Sequence, residues 1–346
     1  MNIVSKVWRR KIMRIAVLGV GRIGRMHAEN IARHPRTNLA GVYDIHTPSA
    51  EKTSNDLGVT NFSDPEDVFS SDQVDGVLIA SATATHVDFI EQAVAAGKPV
   101  LCEKPIDLSL QRVDSCAAKI AGSKVPIMLG FVRRFDRGHR ALQQAVQAGE
   151  IGDLHQLVIT SRDPDMAPDA YIEVSGGIFR DMTIHDFDLA RFILGEEITE
   201  VAASGSRLVK PELMARCEDY DTVSITMRTA SGKQCTISNS RRAVYGYDQR
   251  VEAFGSNGML ISDNHPNHNL RHYSAERTDA GEPLMDFFIE RYEDAFAAEI
   301  DAFVQTVESG SEPEVGYKDG REALVLAEAA LRSVREQRTI TPKDIV

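Results

Sequence analysis

The chain is poor in several features that announce a function class. It has four cysteines in 346 residues, Cys102, Cys116, Cys217 and Cys235, and none belongs to a CxxC pair. That argues against a zinc site or a disulfide framework and fits a reducing compartment. No apolar stretch reaches the length of a bilayer span. Basic side chains are outnumbered, 39 against 51 acidic, for a formal net charge of −12; a nucleic-acid partner would need a basic face. No HExxH pattern occurs. His268 and His272 have HxxxH spacing, but the polar segment from His265 to His272 holds Pro266 and two asparagines and reads as loop, so no metal is expected. The first twelve residues carry Lys6, Arg9, Arg10 and Lys11 without the apolar core of a signal peptide. With Met13 able to serve as a start, residues 1–12 read as an extension with no role in the fold. A cytoplasmic protein with no membrane partner is the default.

Against these absences stands one dense motif. Residues 15 to 24 read Ile-Ala-Val-Leu-Gly-Val-Gly-Arg-Ile-Gly, an apolar run breaking into a glycine-punctuated turn. Helical periodicity follows from Ile23 to Arg33, then a second strand from Leu39 to Tyr43, and Asp44 comes twenty positions after Gly24. Strand, glycine turn, helix, strand and carboxylate in that order form a dinucleotide-binding βαβ unit. Gly19 allows the tight turn, Gly21 the approach of a pyrophosphate, and Gly24 the close packing of helix on strand. The open helix N-terminus offers N–H groups to the anion. A carboxylate at Asp44 accepts from ribose hydroxyls and repels a 2′-phosphate, and Ile45 and His46 supply no arginine, so NAD is favoured over NADP.

The chain is long enough for two cores. Up to about residue 130, short β-rich runs alternate with helical periodicity, as in a parallel sheet with crossover helices. Gly76–Ser81, Pro99–Glu103 and Ile127–Phe131 read as strands, and helices are expected over His86–Ala96 and from an N-cap at Ser109. Beyond about residue 150 the rhythm changes to period-two alternation. Strands are expected at His155–Ser161, Thr199–Ser206, Asp221–Arg228, Gln234–Ser240 and Arg250–Phe254, with a hairpin turn at Ser231-Gly232. Two helices, Asp286–Glu308 and Asp319–Glu336, close the chain. The expectation is an α/β protein: a Rossmann dinucleotide-binding domain over residues 13–130, then an α+β substrate and oligomerisation domain over 131–346 with a mostly antiparallel sheet. The last helix is free to pack back on the first domain.

Two places carry candidate chemistry. Glu103-Lys104-Pro105 ends a strand of the parallel sheet, so Lys104 points to the crevice where open α/β sheets bind ligands; it reads equally as a surface lysine at a strand exit. Farther on, Asp181, His185 and Asp188 are spaced i, i+4, i+7, which on a helix puts them on one face. The carboxylate can then orient the imidazole in an acid–base couple, while the competing reading makes Asp181 a helix cap.

Taken in order from Met13 onward, Gly19-Val-Gly-Arg-Ile-Gly24, Ser81-Ala-Thr-Ala-Thr-His86, Glu103-Lys104-Pro105 and the Asp181/His185 segment resemble the glucose–fructose oxidoreductase/inositol dehydrogenase family. Ser175 to Asp188 and Asn239 to Arg250 resemble its inositol-oxidising members. The resemblance implies a Rossmann domain followed by a domain with a large open sheet, often in a homotetramer. It implies a catalytic group of Lys104, Asp181 and His185, with the cofactor on Gly19, Gly21, Arg22, Ile23, Gly24, Asp44, Ser81, Thr83, His86, Glu103 and Lys104. A cyclic polyol would meet Lys104, Arg134, Asp181, His185, Asp188 and Tyr245. The implied reaction is NAD-dependent oxidation of a ring alcohol to a ketone, myo-inositol to its 2-keto product, with either His185 or Lys104 as base. The alternatives are another inositol isomer or a pyranose as substrate, a lyase or glycosidase that oxidises transiently, and a nucleotide-bound sensor without turnover.

Overall fold

The structure is a computed structural model that describes residues 12–345; all of the expected N-terminal extension except Ile12 lies outside the described residues. The chain divides into two compact units. One holds the residues up to Gly130 together with Phe296–Tyr317, the other Phe131–Ala295 with Lys318 onward. Residues 296–317 therefore belong with the nucleotide-binding unit.

That unit runs β1 (Met13–Leu18), α1 (Arg22–Arg33), β2 (Thr37–Tyr43), α2 (Thr47–Leu57), β3 (Thr60–Asn61), α3 (Pro65–Ser70), β4 (Gly76–Ile79), α4 (His86–Ala95), β5 (Val100–Glu103), α5 (Leu110–Ile120) and β6 (Ile127–Gly130). Its six strands pair in the order β3-β2-β1-β4-β5-β6, all parallel. Central strands such as Gly76–Ile79 are buried along their whole length, which is why they read as unbroken apolar runs: a sheet covered on both faces leaves no polar side. The Ser109 side chain caps α5 by accepting from the Arg112 amide, as the sequence suggests. The reversal of strand order between β1 and β4 marks the switch point beside which such sheets bind ligands.

The second unit contains α6 (Arg137–Gln147), β7 (Leu154–Arg162), α7 (Asp169–Ile172), α8 (Ile178–Asp181), α9 (Ile184–Leu194), β8 (Ile198–Ser206), α10 (Pro211–Arg216), β9 (Thr222–Thr229), β10 (Gln234–Ser240), β11 (Asp248–Gly255), β12 (Gly258–Ser262) and α11 (Phe288–Arg291). The chain closes with α12 (Glu293–Ser309) and α13 (Tyr317–Glu336). The sheet order is β12-β11-β7-β10-β9-β8, antiparallel except for the parallel β7–β10 pair. Strand β9 alternates buried and exposed residues along its length. Its connection to β10 is the expected hairpin, with Gly232 in the left-handed region. One face of the sheet packs inward; the other presents Gln156, Val158, Thr226, Arg228, Thr236 and Phe254 outward. The expected helix over 286–308 is interrupted at Tyr292, with α11 ahead of it and α12 behind. His268 and His272 lie in an exposed stretch in which Arg271–His272 forms a two-residue strand.

Candidate active site

The glycine turn has the shape its sequence demands. Gly19 leaves β1 at φ +89°, and a Cβ there would fall 2.4 Å from Ser81 Cα. At Gly24 a Cβ would come within 1.9 Å of the Gly19 carbonyl oxygen, so α1 can start this close to the loop only without a side chain. Gly21 caps α1, and a Cβ on it would meet nothing within 4 Å. No side chain caps the helix and no acidic residue sits in its first turn, where Arg22 is exposed and Ile23 half-buried. Its first N–H groups are therefore left for an anion. Asp44 is held beside this loop: Oδ2 accepts from the Val20 amide at 2.7 Å and Oδ1 from the His46 amide at 2.8 Å. Lone pairs remain on both oxygens for a ribose diol. Loop and carboxylate fit a dinucleotide.

Around this loop the expected contacts divide. Ser81 and Thr83 lie half-buried in the turn after β4, where the Ser81 hydroxyl pairs with that of Thr85 at 2.7 Å. His86 is tied to the protein itself. It is 1% exposed, with Nδ1 at 2.8 Å from the Pro105 carbonyl and Nε2 at 3.0 Å from that of Ser81. Both ring nitrogens face main chain, so His86 braces the β4 loop against the turn after Lys104. Glu103 likewise turns to a protein partner, its carboxylate 2.7 Å from His27 Nε2 on α1. Lys104 follows, half-buried, and its peptide bond to Pro105 is cis.

In the second unit the expected single helix over Asp181, His185 and Asp188 is broken. Asp181 ends α8, and α9 begins at Ile184 after the Met182-Thr183 joint. The i, i+4 argument presumed a continuous helix, and the chain instead turns between the two residues. The Asp181 carboxylate accepts from the Tyr171 hydroxyl at 2.7 Å and from Arg241 Nη1 at 3.1 Å. Burial works against the Arg241 charge, but Asp181 and Asp219 outweigh it and hold the guanidinium above its ordinary range. Asp219 in turn accepts from the Ile178 amide at 2.9 Å and fixes the start of α8. Neither Tyr171 nor Arg241 was legible in the sequence, because they lie 10 and 60 positions from Asp181. His185, half-buried, meets the edge of the Phe131 ring, the centroids 6.0 Å apart.

Arg134 and Asp188 are both buried and bonded to each other, with Nε–Oδ2 at 2.8 Å and Nη2–Oδ1 at 2.6 Å. Asp319 on α13 accepts from the same guanidinium at 3.0 Å. Burial pushes the Asp188 carboxyl up, against the pull of Arg134. Tyr245 is 46% exposed; its hydroxyl donates to Asp248 and accepts from Arg162, each at 2.7 Å. A further network beneath α9 escaped the sequence reading. Arg133 donates to Asp186 at 2.5 Å and to Ser161 at 3.1 Å, while Asn239 donates to the other Asp186 oxygen at 2.8 Å and accepts from Thr183 at 2.6 Å. Asp186 adjoins His185, so this network sets the height and rotation of the helix that presents the imidazole.

Residues 13–131 match the family described as oxidoreductase family, NAD-binding Rossmann fold, and residues 139–261 match the GFO/IDH/MocA C-terminal domain. The chain belongs to the GFO/IDH/MocA oxidoreductases. Among curated relatives in this family, an inositol 2-dehydrogenase of Rhizobium meliloti is 44% identical, over 95% of this chain and 99% of its own. A crystal structure of a myo-inositol dehydrogenase from Corynebacterium glutamicum is 46% identical with a TM-score of 0.92, covering 95% of this chain and 98% of its own. A scyllo-inositol dehydrogenase from Lactobacillus casei, solved with NAD(H) and scyllo-inositol, is 29% identical with a TM-score of 0.88, covering 96% of this chain and 100% of its own. As in the family, the first unit is an NAD-binding Rossmann fold. Among the described residues no helix is long and apolar enough to cross a membrane.

Proposed function

We propose that the protein oxidises one secondary hydroxyl of an inositol to a ketone, with myo-inositol giving its 2-keto product. The observation that carries this is the Asp181 carboxylate, anchored by Arg241 and Tyr171 just ahead of His185, in a chain whose other unit is built to bind NAD. When bound, NAD supplies the hydride acceptor. His185 takes the hydroxyl proton, since an imidazole works near neutral pH without large tuning. Asp181, already oriented by Arg241, stabilises the imidazolium that results. Lys104 donates to the reacting oxygen and offsets the negative charge that grows as the proton leaves. Arg134, Asp188 and Tyr245 serve as polyol contacts. The first two meet the ring as a preformed ion pair, so little ordering is left to the moment of binding. Names of relatives sharing 44% and 46% identity over nearly the whole chain support the inositol substrate.

The deciding assay follows NADH formation with myo-inositol, scyllo-inositol and glucose, using NAD and then NADP. Preference for myo-inositol with NAD is expected, because Asp44 repels a 2′-phosphate. Activity confined to glucose removes the inositol assignment. Absence of turnover with all three, despite saturable NAD binding, removes the enzymatic one.

The protein is further proposed to assemble as a homotetramer through the outward face of its second sheet. A six-stranded sheet bare on one side, with Val158 at 38% and Phe254 at 45% exposure, is suited to a self-complementary interface. Light scattering on the purified protein is expected to give four times the chain mass; a monomer at micromolar concentration refutes the assembly.

A further inference from the structure

Three titratable side chains of the nucleotide-binding unit meet in its interior. His27 comes from α1, Glu103 ends β5, and Glu299 comes from the part of α12 that belongs to this unit. One imidazole nitrogen and one oxygen of each carboxylate all lie within 4.8 Å of one another. His27 is 1% and Glu299 0% exposed. His27 Nε2 and Glu103 Oε1 are hydrogen-bonded, whereas neither oxygen of Glu299 has a hydrogen-bond partner among the described residues.

Two carboxylate charges this close, one fully buried and the other mostly so, call for a balancing proton or cation. Burial pushes the Glu299 carboxyl well above its ordinary range, and the charge of Glu103 pushes the same way. A metal is a poor alternative. Tetrahedral zinc holds nitrogen and oxygen ligands roughly 3.3 Å apart, while His27 Nε2 and Glu103 Oε1 are 2.7 Å apart and bonded to each other.

We propose that Glu299 is a neutral carboxylic acid that shares its proton with Glu103, directly or through one water, and that this cluster positions Lys104. Glu103 is then held from two sides, by His27 on the helix that begins at the glycine turn and by Glu299 on α12. The main chain passes from Glu103 straight into Lys104, so the cluster fixes where that lysine leaves the sheet. Glu299 is thus a positioning residue, and this part of the proposal rests on the reading of Lys104 given above.

The charge state is testable on the full-length protein without substrate. At neutral pH exposed carboxyls are ionised, so an infrared C=O stretch of a protonated carboxylic acid that moves in heavy water reports a buried one. The band is expected in the wild type and absent from Glu299→Gln. In turnover, Glu299→Gln keeps a donor in place and is expected to retain kcat within about threefold. Glu299→Leu is expected to lose on the order of tenfold or more in kcat with little change in KM for NAD, as a misplaced group does. Three results overturn the proposal: no such band in the wild type, Gln and Leu variants equal in kcat, or a stoichiometric metal in the purified protein. If the band is present but no polyol is turned over, the neutral acid stands and the functional reading of Lys104 falls.

Discussion

Replacing Lys104 by alanine is expected to cut turnover by a factor on the order of 100 or more while leaving NAD binding almost unchanged. The reason lies in the separation of tasks within the nucleotide-binding unit. The glycine turn, the uncapped start of α1 and the Asp44 carboxylate hold the cofactor, and their geometry is fixed by backbone contacts that do not involve Lys104. Lys104 acts on the reacting oxygen, whose charge is greatest in the transition state. Loss of such a group lowers kcat and kcat/KM together without a matching rise in KM. NAD affinity by fluorescence titration and steady-state turnover with the preferred polyol give the two halves of the result. Near-normal turnover in the variant removes Lys104 from the chemistry; loss of NAD affinity along with turnover makes it a cofactor ligand instead.

Replacing Asp186 by alanine is expected to destabilise the protein by about 3–5 kcal/mol, the cost of leaving a buried guanidinium without its counter-charge. Asp186 is 0% and Arg133 5% exposed, and the pair is joined through Asn239 to Thr183 and through Ser161 to β7. Burial pushes the Asp186 carboxyl up while Arg133 pulls it down. The same carboxylate raises Arg133 against its own desolvation. The partners therefore sustain each other, and removing one strands the other. Urea denaturation followed by circular dichroism measures the loss. A second variant separates the charge from the packing: Arg133→Met with Asp186→Leu leaves no unpaired charge and is expected to recover much of the stability. Should the single variant lose less than about 1 kcal/mol, within the range of a surface pair, the network is not the support of α9 described here.

How much of this was legible beforehand follows from the range over which each signal acts. The glycine turn and Asp44 could be read because their conformational demands are local. Gly19 needs a positive φ and Gly24 a close approach, and both are properties of a few consecutive residues. The strands of the first sheet were legible from buried apolar runs, and those of the second from alternation. The break between α8 and α9 was not, since Met182 and Thr183 carry no proline or glycine to announce it; at that turn the Thr183 hydroxyl is tied to Asn239, 56 positions away. The two main-chain partners of His86 were not legible, because nothing in a loop motif says which way an imidazole faces.

By itself the sequence determined the fold class, the nucleotide and the family, since backbone propensity, burial pattern and a charged residue at a strand end all operate over short stretches of chain. Only the tertiary structure decided which side chains share a charge. The anchoring of Asp181 by Arg241, the support of His185 by Arg133 and Asp186, and the meeting of His27, Glu103 and Glu299 join residues 53 to 272 positions apart, apart from Asp186 beside His185 and Glu103 beside Lys104. The physical reason is desolvation. A buried charge must find its partner wherever the packing of helices and strands brings one, and linear spacing does not record that choice.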